Sequence, residues 1–112
     1  MTVKEIDDMD DWKALFEEAA LSDKRVVIQF SAEWCVPCKR VSPVIDQLSE
    51  EFEESWLFAK VDNDKSSDIS ELEDIRVMPT FVFYKSSGEK YNKIQGAKDT
   101  AIRSELSLPM DY

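Results

Sequence analysis

Cys35 and Cys38 are the only cysteines in this 112-residue chain, three positions apart in the run Trp34-Cys35-Val36-Pro37-Cys38-Lys39. Residues i and i+3 of a helix approach to about 5–6 Å, inside the ~4.4–6.8 Å Cα separation that a disulfide tolerates. A pair so placed opens and closes without unfolding anything. The run lies between an apolar strand pattern and a helical one, so Cys35 is expected at the helix N-cap and Cys38 one turn later. Unsatisfied N–H groups and the positive end of the helix dipole point at Cys35 and favour its thiolate, with Lys39 and Arg40 adding positive charge nearby. A thiol shifted down from about 8.5 presents more nucleophile at neutral pH. Pro37 falls in the first turn, where its missing N–H is no loss. Cys38, deeper in the helix, is the expected resolving thiol.

The rest of the composition removes most competing chemistries. There is no histidine, which excludes Ser-His-Asp and Cys-His nucleophile pairs and His-ligated zinc or haem. Two glycines, Gly88 and Gly96, are too few for a P-loop or dinucleotide fingerprint. A zinc or iron–sulfur centre needs about four ligands, and one cysteine pair supplies two. Asp62, Asp64, Ser66 and Glu73 partly imitate a calcium loop, but Ser67 stands where the sharp turn requires Gly. The net charge of −10 argues against nucleic acid or an anionic membrane as partner. That charge is uneven: residues 1–74 hold 8 basic and 20 acidic side chains, residues 75–112 hold 6 and 4. The N-terminal residues lack a basic start followed by an apolar stretch, and no run approaches the roughly 18 apolar residues of a membrane span. A soluble intracellular protein is expected, in a compartment where paired thiols are redox or metal-binding groups and not structural staples.

The elements that must position the dithiol follow from periodicity. Residues 2–6 read as a short edge strand. Asp10 is the expected cap of a helix burying Trp12, Leu15, Phe16, Ala19 and Ala20. Residues 26–30 form a nearly continuous apolar run rich in β-branching, the pattern of a strand covered on both faces. After the cysteines, Val41, Val44, Ile45, Leu48 and Phe52 repeat at helical spacing, with Pro43 expected to kink that helix. Residues 56–61 give a second buried strand, and a short helix is expected around Ile69, Leu72 and Ile75. Residues 80–84 give a third, and a turn at Gly88 returns the chain as a hairpin partner over 90–95. Asp99 is the expected cap of a last helix through Ile102 and Leu106, stopped by Pro109. The order β-α-β-α-β-α-β-β-α predicts an α/β fold: one mixed, mostly parallel sheet with helices on both faces.

With these residues in place, Trp34-Cys35-Val36-Pro37-Cys38-Lys39 resembles the thioredoxin active site, usually Trp-Cys-Gly-Pro-Cys-Lys. The likeness extends to Phe30-Ser31-Ala32-Glu33 before the motif, to Pro43 as a kinking proline, and to Val77-Met78-Pro79-Thr80 as the family's cis-proline segment. Gly88 and Gly96 fall at the family's hairpin and groove glycines. The resemblance spans about residues 3–106, leaves Ser107–Tyr112 unexplained, and implies one thioredoxin-like domain over 1–112 with the thioredoxin fold.

The resemblance implies a protein-disulfide reductase. Cys35 attacks a substrate disulfide, Cys38 resolves the mixed disulfide, and Trp34, Val77, Met78, Pro79 and Gly96 form the docking surface. No bound cofactor or metal is implied; electrons come from NADPH through a thioredoxin reductase. The implied partners are that reductase and disulfide-containing proteins, for a monomeric cytoplasmic protein. Two positions depart from the family pattern. Gln29 replaces a buried Asp, and an amide cannot accept a proton at physiological pH; Lys60, which matches that Asp's lysine partner, then lacks it. Val36 replaces Gly and brings a stiff, branched side chain to the groove rim. The sequence therefore admits a second function, a thioredoxin-fold binding or adaptor module with weak redox activity.

Overall fold

In the computed structural model, which describes residues 3–109, nine elements follow the order read from the sequence. They are β1 (Val3–Ile6), α1 (Met9–Ser22), β2 (Arg25–Ser31), α2 (Val36–Glu51), β3 (Trp56–Asp62), α3 (Ser67–Leu72), β4 (Thr80–Tyr84), β5 (Lys90–Gln95) and α4 (Asp99–Leu106). Thr2, the first residue of the expected edge strand, lies outside the described residues.

The strands form one five-stranded sheet in the order β1-β3-β2-β4-β5. β3 pairs parallel with both β1 and β2, while β2–β4 and β4–β5 are antiparallel. All seven residues of β2 are buried, because helices cover both faces of this central strand. Alternate residues divide the core accordingly. Val26, Ile28 and Phe30 pack with Leu15 and Ala19 of α1 and Ile69 of α3. Val27 packs on the other face with Val41, Ile45 and Leu48 of α2, Ile102 and Leu106 of α4, and Phe81 and Phe83.

Several local expectations are corrected. α1 is capped by Asp8, not Asp10: Asp8 has extended backbone and its carboxylate accepts from the Asp11 N–H at 2.9 Å. Asp11 in turn accepts from the Asp7 N–H at 3.0 Å, a reciprocal arrangement close to a capping box. Asp10 sits in the first turn, where its charge meets the positive end of the helix. Ala20 is exposed and Trp12 and Phe16 are only half-buried, since the helix presents a narrower stripe to the sheet than five positions require. α2 holds Pro43 inside it, where the sequence placed it. α3 stops at Leu72, which is exposed, and Asp74 takes a left-handed conformation before Ile75 packs against the core. α4 is capped by Lys98 without a side-chain bond, and Asp99 is its first residue.

Candidate active site

β2 delivers the chain to the dithiol. Its last carbonyl, on Ser31, accepts from the Asn63 N–H at 2.7 Å, which ties the end of β2 to the loop after β3. A tight turn follows, closed by the Cys35 N–H donating to the Ala32 carbonyl at 3.1 Å. Cys35 is the N-cap of α2, and its Sγ accepts from the Cys38 N–H at 3.2 Å, filling the role a Ser or Asp oxygen usually plays. Pro37 lies in the first turn. The two sulfurs are joined in a disulfide with a Cα–Cα distance of 5.3 Å.

Cys35 at the N-cap and Cys38 one turn into α2 stand as expected, and both are 3% exposed. What separates them is their surroundings. Cys38 lines an open cavity of about 590 Å³ that Cys35 does not reach. The cavity floor is a row across three strands, Gln29 on β2 beside Lys60 on β3 beside Glu5 on β1. Lys39, Asp46, Asp62 and Lys65 complete its polar wall. Gln29 is buried and Lys60 half-buried; among the described residues Lys60 makes no ion pair. Lys39 thus stands on the Cys38 side of the pair, not beside Cys35 alone.

On the outer side, the residues expected to dock substrate come together around the disulfide. Met78 packs against Cys35, Cys38 and Ala32. The Met78–Pro79 peptide bond is cis. Thr80 Oγ1 donates to the Val77 carbonyl at 2.6 Å and fixes this loop. The Gly96 N–H donates to the Pro79 carbonyl at 2.8 Å, and Gly96 does so at φ +96°, a backbone conformation that strains other residues. Trp34 (65% exposed), Val36 (70%) and Val77 (45%) are three of the five large apolar side chains left in water among the described residues.

Sequence reasoning missed Asp64 as part of this site. Its Oδ2 accepts from Trp34 Nε1 at 2.9 Å and holds the exposed indole in one orientation. Asp62 Oδ1 accepts from the N–H groups of Asp64 and Lys65 at 2.9 and 3.2 Å, so the first carboxylate builds the turn that aims the second. The cluster Asp62-Asn63-Asp64 at a strand end was the available signal. Among the described residues no three acid or cysteine side chains converge as metal donors.

The family model for thioredoxin matches residues 8–107 of this chain. A thioredoxin from Geodia cydonium is 41% identical over 96 residues, covering 84% of this chain and 90% of the relative. Thioredoxin-3 from Dictyostelium discoideum is 44% identical over 86 residues, covering 77% and 81%. Among solved structures, a poplar wild-type thioredoxin h superposes with a TM-score of 0.90 at 32% identity, covering 96% of this chain and 95% of that one. The thioredoxin of Fasciola hepatica gives 0.86 at 30% identity, covering 94% and 97%.

Proposed function

The chain belongs to the thioredoxin family, and we propose that it works as a single domain that reduces protein disulfides, with Cys35 as nucleophile and Cys38 as resolving thiol. Family membership together with a cysteine pair at disulfide distance makes it a thiol–disulfide oxidoreductase. The observation that carries the finer reading is a disulfide at the N-cap of α2, framed by exposed Trp34, Val36 and Val77 and by the Pro79 loop.

In the reduced protein the Cys35 thiolate attacks one sulfur of a substrate disulfide, and the other leaves as a thiolate. Cys38, deprotonated in its turn, attacks Cys35 Sγ and expels the second substrate thiolate. Two electrons pass to the substrate, both product thiolates take up protons, and the Cys35–Cys38 bond forms. The N-terminal end of α2 stabilises the Cys35 thiolate both as attacking and as leaving group. Trp34, Val77, Met78, Pro79 and Gly96 form the substrate groove. NADPH, through a thioredoxin reductase, returns the electrons; the protein acts as a cytoplasmic monomer.

Insulin reduction with dithiothreitol as electron source tests this, with Cys35→Ser as the blank. The expected result is a clear rate above that blank. A second reading, a binding module with weak redox activity, is favoured by the buried Gln29. Cys38→Ser separates the two: a reductase accumulates mixed disulfides that added thiol releases, whereas a binding module keeps its partners whatever the state of either cysteine.

A further inference from the structure

Around the sulfur pair, cations and acids stand side by side. The protein carries −10 overall, yet the acids close to the dithiol and its loops are engaged. Glu33 pairs with Lys65 at 3.6 Å and Asp74 with Arg76 at 3.0 Å. Asp64 accepts from Trp34, and Asp99 turns back to accept from the Thr100 N–H at 3.1 Å, bonds that orient these two carboxylates and leave their charge in place.

Two cations at the same rim have no such partner among the described residues. Lys98 is exposed, and its Cγ and Cε lie 3.9 and 3.8 Å from where a Cβ on Gly96 would stand. Its stem therefore runs along Gly96, which is bonded to the Pro79 carbonyl. Arg40 is exposed and stands four positions after Val36 in α2, on the same side of the helix and one turn further from its start.

We propose that Lys98, supported by Arg40, selects disulfides whose cysteine is flanked by carboxylates, in an acidic peptide segment laid across Val77–Pro79 and Gly96. The inference rests on the disulfide-reductase reading and names its substrate class. Gly96 leaves room beside Pro79 for a backbone, and the Lys98 stem lies along that opening with its ammonium free. The chain's distant acids act beyond a Debye length of about 8–10 Å at physiological salt and are largely screened there, whereas the rim cations act at contact. Each exposed ion pair formed in this way is worth about a two- to fivefold preference.

The test uses the pre-reduced full chain and two matched cystine peptides, one flanked by aspartates and one by lysines, at physiological salt. The readout is the ratio of their second-order rate constants. The expected ratio favours the acidic peptide by about tenfold, and Lys98→Glu lowers it at least about fivefold. Lys85→Glu makes the same change in net charge beyond the far end of β4, where Lys85 forms only an exposed pair with Glu89 at 3.1 Å. It should leave the ratio within about twofold of the parent. Equal shifts from the two substitutions, or a parent protein that prefers the lysine peptide, would overturn the proposal. If neither peptide oxidises the parent faster than it oxidises Cys35→Ser, the reductase reading itself fails and takes this inference with it.

Discussion

Two tryptophans at opposite ends of the sheet show how differently one residue type is used. Trp56 opens β3 and is buried. Its Nε1 donates to the Leu106 carbonyl at 3.0 Å, and the Arg25 guanidinium lies 4.4 Å from its ring centroid. Arg25, 5% exposed, also donates to the carbonyls of Leu108 and Pro109 at 2.6 and 3.3 Å. Together they satisfy carbonyls at and beyond the end of α4 that have no partner within that helix. On the opposite face of the sheet, burial and then the bonded Glu73 carboxylate push the Tyr84 hydroxyl far above the usual tyrosine range. Trp34, at the dithiol end, also has its indole N–H bonded, but its ring faces water. In both places the polar edge is anchored. What differs is whether the apolar face is buried in the core or left in water, so the docking role proposed above falls to the exposed ring and the buried one serves stability.

The largest expected effect breaks this comparison directly. Trp56→Ala should lower the unfolding free energy by about 3–5 kcal/mol in urea titrations while the folded fraction keeps its specific activity. Trp34→Ala should change stability by less than about 1 kcal/mol and lower the rate on a protein disulfide by about tenfold. If the two substitutions destabilise equally, the division of labour is wrong. Next in size, Gln29→Asp supplies a proton acceptor behind Cys38. Acting across the cavity, it should speed release of the mixed disulfide by about tenfold, short of the ~100-fold of a base in direct contact. Stopped-flow Trp34 fluorescence reads that step, and an unchanged rate would remove Gln29 from the mechanism.

Smaller still is Val36→Gly. The added backbone freedom favours the open dithiol by about 0.5–1 kcal/mol, so the reduction potential should become less negative by about 10–20 mV against a glutathione or dithiothreitol couple. The smallest effect lies at the Trp56 end. Arg103, by its hydrogen bond and then its charge, holds the Glu51 carboxyl below its usual range, with N···O 2.7 Å. A carboxyl lowered in the folded state stabilises above its ordinary pKa and loses that contribution as acid protonates it. Glu51→Gln should therefore shift the urea midpoint slightly at neutral pH and not at about pH 2.

The sheet and the dithiol were legible because each is written locally. An uninterrupted apolar run such as residues 26–30 has one economical placement, at the centre of a sheet covered on both faces. A Cys-x-x-Cys pair opening a helix has one geometry. Caps were legible only to within a residue or two. Asp7, Asp8, Asp10 and Asp11 are chemically alike, and the backbone angle at Asp8 decides which carboxylate reaches an N–H. Leu72 was read inward because apolar spacing does not reveal that α3 is only six residues long. Of the cavity behind Cys38, the Gln29–Lys60 pairing was legible through the family resemblance, and the rest was not. Glu5, Lys60 and Gln29 meet only through the register of three strands, and no stretch of sequence contains that row. The Trp34–Asp64 bond is hidden for the same reason.

The short edge strand β1 and the residue after it form one wall of the cavity. The strand has four residues, pairs with β3 alone, and brings its partner from Phe58–Val61, far along the chain. Closing so long a loop is entropically unfavourable, and few ladder bonds repay it. A Ser66 hydroxyl donating to the Asp7 carbonyl at 2.9 Å is the latch at its end. Strands held this way open well before the whole domain unfolds. The amide protons of Val3–Ile6 should thus exchange with solvent faster than those of β2 or β3. Each opening would withdraw the Glu5–Asp7 wall and widen the cavity beside Cys38.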